Sequence, residues 1–243
     1  MAEAARALEV VRPPSRLFRI SRRPDPWTWP NWAHVSDDHT FGNRWDDPRG
    51  IYRVLYAASQ RQGAFLEVLA RFRPDPAVVA GLARIAAEAD AIPPGMVPAS
   101  WLRRRVMGEA SVLGTFAHVG RRRSLAHLRR LLAARLVHYG LPDLDAGTIR
   151  LTAPRRLTQE ISRCIFEMTE VGSVEPSYHG ICYLSRLGDE LENWAIFEMS
   201  EASGGEPRIE PGRVSDLSPE DPDFQAVLRV HELTLMDLHP GGG

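Results

Sequence analysis

The sequence predicts an α+β domain. Strand-like and helical stretches are mixed without the regular βαβ alternation of a doubly wound sheet. A strand-like run enters a helix directly across 50–72. Two more, 180–185 and 193–199, lie close enough to pair through a turn at 188–192. The 243 residues suit one large domain, 1–243, carrying a helical insertion at 73–145 and an acidic C-terminal extension at 201–243.

In chain order, 12–20 enters as an extended segment whose Leu17, Phe18 and Ile20 offer core contacts. Residues 24–50 are rich in Pro, Trp, Asp, His and Asn without periodicity and read as a long loop. Trp27, Trp29, Trp32 and Trp45 argue that this loop is ordered, since disordered segments are poor in aromatics. Ile51, Tyr52, Val54, Leu55 and Tyr56 make 51–57 a strand. Ser59 is a cap for a helix over 59–72, where Phe65, Val68, Leu69 and Phe72 recur at i, i+3, i+4 and i+7. Glu67 falls about 160–200° from that stripe, so it faces either water or a cleft.

Beyond Pro74 the text turns Ala-rich and helical, broken at 92–98. Leu125, Leu128, Leu132 and Leu136 predict a helix over 124–139, ended by Gly140. Residues 101–139 hold nine arginines against one acid, Glu109. That field can draw phosphates or an acidic partner, or be a solvated face. A short strand at 149–152 precedes an amphipathic helix marked by Leu157, Ile161, Cys164, Ile165 and Met168. In 180–185, Ile181, Tyr183 and Ser185 share one face, with Cys182 and Leu184 on the other. The tail from 201 carries nine acids and three arginines and ends in a helix over 221–238.

Composition removes several function classes. All 30 basic residues are arginine, so Schiff-base lysines, pyridoxal phosphate and a Walker A lysine are excluded. A net charge of −1 and a pI near 6.7 argue against a nucleic-acid binder driven by overall charge. No apolar run reaches the roughly 18–20 residues of a membrane span, and the N-terminal residues lack a secretory h-region. Two cysteines in unrelated contexts, Cys164 and Cys182, fit a reducing cytoplasm. There is no G-x-S-x-G, G-x-G-x-x-G or H-E-x-x-H motif, and the eight histidines show no ligand spacing, so no metal is expected. His34 and His39, five apart, carry a weak metal signal.

Three blocks in order carry a resemblance. They are LFRI with Arg19; GNRW with Arg44, followed by the Tyr56–Glu67 strand–helix unit; and PRRLTQEIS followed by GICYLSRLGDELENWAIF, with Ser185 and Asn193. Together they resemble the RES domain, named for Arg, Glu and Ser, which supplies the toxin of bacterial RES–Xre toxin–antitoxin pairs. The resemblance implies an ADP-ribosyltransferase-like fold with a mixed or antiparallel β core and surrounding helices. It also implies NAD+ as substrate, no cofactor, an Xre-family antitoxin as partner and a cytoplasmic location, with no membrane or direct nucleic-acid contact. A homodimer or a hetero-oligomer with the antitoxin fits as well.

The implied roles make physical sense. Arg19 and Arg44 would hold the pyrophosphate, because a planar guanidinium pairs with phosphate oxygens. Tyr56 would wall the nicotinamide riboside. Glu67 would stabilise the charge that grows as the glycosidic bond breaks. Ser185 and Asn193 would add polar contacts to the substrate. Catalysis thus rests on Glu67, Tyr56 and Arg44. Two positions depart from the family pattern: Ile20 stands where an aromatic is frequent, and Asp46 where a neutral Asn is common. Two other readings share the same residues: transfer of ADP-ribose to a protein, and a non-catalytic module docking through its basic stretch.

Overall fold

The structure, a computed structural model, describes residues 7–38, 40–75, 95–151, 154–170, 172–199 and 207–236. Its strands are β1 (Val10–Val11), β2 (Leu17–Arg22), β3 (Val54–Ala58), β4 (Met96–Pro98), β5 (Arg105–Leu113), β6 (Phe116–His118), β7 (Gly180–Leu184), β8 (Glu192–Phe197), β9 (Arg208–Asp216) and β10 (Thr234–Met236). Its α-helices are α1 (Arg61–Leu69), α2 (Ala99–Arg103), α3 (Arg122–Leu131), α4 (Ala133–His138), α5 (Ala146–Arg150), α6 (Arg155–Phe166) and α7 (Pro222–Val230).

Eight strands form one sheet in the order β1-β6-β7-β8-β3-β2-β5-β9, antiparallel except at β6–β7. A small parallel pair, β10 with β4, lies apart. The α+β expectation holds, because the sheet is antiparallel at every junction but β6–β7, unlike the parallel sheet that regular βαβ units build.

Both faces of the sheet are covered. On one, Val54, Ile181 and Ala195 meet α3–α6 through Leu128, Leu136, Ile149, Leu157, Ile161 and Ile165. Further along it, Ile20, Ala58 and Met107 meet α1 and α7. There Phe65 of α1 lies against Phe224 of α7, ring centroids 5.7 Å apart. The opposite face packs Leu55, Ala57, Cys182, Trp194 and Ile196 under Trp27.

The local chemistry redraws several boundaries. β3 starts at Val54 rather than 51, because Gly50 turns at φ +66° and the Ile51 N–H is held by Asp47 Oδ2 at 2.6 Å. Tyr52 leaves the ladder and buries its ring, with its hydroxyl 2.9 Å from Ser162 Oγ. Ser59 does not cap α1. Its Oγ donates to Glu192 Oε1 (2.8 Å) and accepts from Trp194 Nε1 (2.8 Å), so the helix begins at Arg61. The helix over 124–139 is two, α3 and α4, broken at Leu132, and Gly140 at φ +66° closes the second. Over 149–151, the described part of the run expected as a strand at 149–152, there is no strand: the Asp145 side chain accepts from the Thr148 N–H at 2.7 Å and caps α5.

Two larger expectations are also corrected. Within 73–145, the described residues supply β4, β5 and β6 as well as helices. β5 takes six register pairs with β2, so this stretch builds the sheet rather than decorating it. The C-terminal extension is likewise integral, since β9 pairs with β5 along its length and α7 buries Phe224, Val227 and Leu228. Its helix ends at Val230 rather than 238, and residues from 234 turn into β10. Trp27 and Trp45 are buried, as an ordered 24–50 loop requires, and Trp32 is exposed. His39 lies outside the described residues.

Candidate active site

β2 and β3 share a single registered pair, Phe18 with Ala58. A cavity of about 410 Å³ opens between them, lined by Phe18, Arg19 and Ile20 from one strand and Val54, Tyr56, Ala57 and Ala58 from the other. Glu67 and Val68 of α1, Asn43, Arg44, Arg155, Tyr183, Arg186 and Asn193 complete its wall. The size is that of a small-molecule site.

Glu67 is exposed as a residue, yet its carboxylate is anchored. Oε1 accepts from Ser185 Oγ at 2.6 Å and from Asn193 Nδ2 at 2.7 Å. Both donors are buried, at 1% and 2% exposure, so they hold the acid from the protein side. Ser185 Oγ also accepts from the Leu187 N–H at 2.9 Å, which fixes the hydroxyl and leaves its proton for Glu67. Charge-assisted bonds of this kind are the stronger class.

Tyr56 presents its ring to the cavity while its hydroxyl is fully used. It donates to Asp46 Oδ1 at 2.8 Å and accepts from the Trp45 N–H at 3.0 Å. Burial, and then the Asp46 charge, raise the Tyr56 pKa well above its ordinary value, so it stays a phenol. Burial also raises the Asp46 pKa, against the lowering pull of the Asn43 N–H and the Tyr56 hydroxyl. The Asp at 46 therefore closes a phenol–carboxylate pair under the cavity floor.

Four arginines approach the same space. Arg19 donates through Nε to the Pro26 carbonyl and through Nη1 to the Tyr56 carbonyl, both at 2.7 Å. It thus plugs the opening between β2 and β3, and burial lowers its pKa to about 10. Arg44 donates to the Arg150 carbonyl at 3.0 Å and lies 6.0 Å from the Tyr183 ring centroid. Burial lowers its pKa; Tyr183 and Glu67 raise it, and Arg186 and Arg155 lower it further. Arg155 spends Nη1 on the Gly42 carbonyl at 2.9 Å, and Arg186 is exposed at the rim. Three clustered guanidinium groups against one carboxylate leave excess positive field, which an anion would relieve. Among the described residues no His/Cys/Asp/Glu group of metal-ligand geometry borders this cavity; the one such group lies elsewhere.

A family model for the RES domain matches residues 16–217. The chain belongs to the RES domain family. Every residue of the cavity wall named above falls inside the matched region. Among solved structures, the RES chain is similar to one from the M. tuberculosis MbcT–MbcA toxin–antitoxin complex. The TM-score is 0.54 at 12% identity, covering 90% of this chain and 92% of that one. At that identity the likeness is one of fold. A search of curated proteins finds no match.

Within this RES domain, Glu67, Tyr56, Arg44, Arg19 and Asn193 all reach one cavity across a sequence span of 174 positions. Ser185 stands one step behind the wall, bonded to Glu67 rather than lining the space. Asn193 does both. Sequence reasoning missed Arg155, Arg186, Tyr183 and the role of Asp46. Arg155 and Arg186 lie inside the quoted blocks PRRLTQEIS and GICYLSR, and Tyr183 shares the strand face of Ser185. Each was legible only as a neighbour of a residue already singled out.

Proposed function

We propose that this RES domain is a toxin that cleaves the nicotinamide–ribose bond of NAD+, depleting the dinucleotide until a partner antitoxin of Xre type blocks it. The observation that carries the reading is the anchored Glu67 carboxylate on the wall of a cavity that also holds Tyr56 and four arginines. Family membership and a fold shared with a chain solved in a toxin–antitoxin complex support it.

The chemistry follows from the geometry. Arg44, Arg155 and Arg186 grip the pyrophosphate, where guanidinium pairs with phosphate oxygens in charge-assisted bonds. Arg19, already bonded to two carbonyls, shapes the opening and holds the Tyr56 backbone. The flat Tyr56 ring walls the nicotinamide riboside, its direction fixed by Asp46. Glu67 Oε1 is committed to Ser185 and Asn193, and Oε2 has no partner among the described residues. That free oxygen bonds a ribose hydroxyl and stabilises the oxocarbenium character that develops as nicotinamide leaves. Because the charge appears only as the bond breaks, the interaction lowers the barrier rather than only tightening binding. The reaction needs neither cofactor nor metal, and the reading places it in the cytoplasm. No helix among the described residues is long and apolar enough to cross a membrane.

The test is nicotinamide release from NAD+ by purified protein, with and without inorganic phosphate. Wild type should release nicotinamide and Glu67→Ala should lose at least about a hundredfold in rate. Phosphate dependence with an ADP-ribose phosphate product marks phosphorolysis, and free ADP-ribose marks hydrolysis. Labelled NAD+ that tags a protein band would instead identify an ADP-ribosyltransferase. If wild type leaves NAD+ intact and tags nothing, the catalytic reading is wrong.

A further inference from the structure

A second cluster lies on the other face of the sheet. His118 ends β6, Cys182 sits in β7 and Glu192 begins β8, three strands adjacent in the sheet. The registers align them: His118 pairs with Cys182, and Cys182 with Trp194, two residues beyond Glu192 on the same face. One ligand-type atom from each, an imidazole nitrogen, the thiol sulfur and a carboxylate oxygen, lie within 4.8 Å of one another. Tyr183 and Asn193 point to the opposite side, into the cavity described above. The two sites are therefore back to back and share no side chain.

We propose that His118, Cys182 and Glu192 bind one divalent ion of the zinc class. Imidazole, thiolate and carboxylate are the three donor types zinc takes, and a thiolate disfavours magnesium and calcium. Ligand bonds of about 2.0–2.3 Å in a tetrahedron put donor atoms roughly 3.3–3.8 Å apart, so the cluster needs to contract by at most about 1–1.5 Å. A thiolate and a carboxylate neutralise a dication, and a neutral set is what a buried position tolerates.

Two further observations support this assignment. His118 is 4% exposed, and its Nδ1 is buried without a hydrogen-bond partner among the described residues. A buried imidazole so placed is unusual unless an ion or water completes it. Glu192 is oriented from behind, since Ser59 Oγ donates to its Oε1 at 2.8 Å and itself accepts from Trp194 Nε1. Such supporting bonds hold metal-ligating carboxylates in place.

A pocket of about 400 Å³ bordered by Glu9, Val10, His118 and Arg121 opens to solvent on the His118 side of the cluster. Binding releases the Cys182 thiol proton to solvent as the sulfur–metal bond forms. The ion clamps the sheet's one parallel junction, β6–β7, to β8.

The experiment uses the full chain, stripped with a chelator and then titrated with Co2+. A thiolate-to-cobalt charge-transfer band and four-coordinate ligand-field bands, saturating at one equivalent, are expected. Zn2+ should bleach both and raise the melting temperature. Cys182→Ser should abolish the charge-transfer band, and the half-buried Glu192→Gln should weaken zinc about tenfold or more against a chromophoric chelator. No stoichiometric uptake by wild type would overturn the assignment. So would a charge-transfer band that survives in Cys182→Ser with a native circular dichroism spectrum. Neither readout involves NAD+, so failure here is distinct from failure of the proposed activity.

Discussion

Ser185 gives the sharpest test of how the cavity works. Its hydroxyl does not line the space, so its effect should pass wholly through Glu67. Removing a hydrogen bond to a charged group costs about 1.5–3 kcal/mol. Asn193 still holds the same oxygen in Ser185→Ala, which argues for the lower end. Turnover of NAD+ should then fall about tenfold, with a smaller change in KM. The substitution also strands the Leu187 N–H, so a loss of about 1–2 kcal/mol in urea unfolding accompanies it. The decisive measurement is a double-mutant cycle, read as nicotinamide release under single-turnover conditions with enzyme in excess. In a Glu67→Ala background there is no carboxylate to position, and Ser185→Ala should change the rate by no more than about twofold. An equal tenfold loss in both backgrounds would show that Ser185 acts on the substrate directly and refute the reasoning.

Three other perturbations follow from the same structure. Arg186→Ala, at an exposed position on the cavity rim, should raise the KM for NAD+ about fivefold and steepen less with salt than wild type, leaving the urea midpoint unchanged. An unchanged KM would remove Arg186 from the phosphate grip. Asp46 has a raised folded-state pKa because it is buried, so protonation favours the native state. Its stabilising contribution is complete below the ordinary Asp pKa and lost as pH rises through the higher folded value. The melting-temperature difference, wild type minus Asp46→Asn, should shrink as pH climbs from about 4 towards 7. A difference that grows would reverse the assigned cause. Gly180→Ala would set a Cβ 2.2 Å from the Ala195 carbonyl oxygen and 2.6 Å from the Phe116 ring. Overpacking of that kind costs about 1–3 kcal/mol, readable as a lower urea midpoint with unchanged slope.

Helical periodicity was enough to place Glu67 away from the packed face of α1, and strand alternation enough to put Tyr183 with Ser185. Neither says that Ser185 and Glu67, 118 positions apart, touch. That contact needs the order β7-β8-β3, in which β8 bridges the strand of Ser185 to the strand leading into α1. β5 was hidden inside an arginine-rich stretch that read as helix, and its partner β9 is exposed along nearly its whole length, so no alternation marks it. The Ile149–Thr152 run looked β-prone, but the Asp145 cap decided for α5. Spacing rules for metal sites could not have brought His118, Cys182 and Glu192 together, because they detect ligands on one element and these three come one from each of three strands.

The exposure of Glu67 deserves to be set against its bonding, because a glutamate on an outward helix face is ordinarily just solvated. A solvated glutamate samples many rotamers, and freezing one costs up to about 2 kcal/mol of side-chain entropy. Here that cost is met in the folded protein, before any ligand arrives, by two buried donors on β8 and just after β7. The donors take one oxygen and leave the other at the cavity. A surface carboxylate with no task gains nothing from burying a serine and an asparagine beneath it, since each buried polar group carries its own desolvation cost. Such groups are worth burying where one orientation of the acid matters, and it matters when a charge appears at one place in the cavity. Arg44 shows the same division: one nitrogen is tied to the Arg150 carbonyl, while the guanidinium as a whole stays beside Glu67 and the other arginines. Orientation imposed from behind, with a free atom in front, is how this fold sets a helix-face acid and a loop arginine on the wall of one cavity.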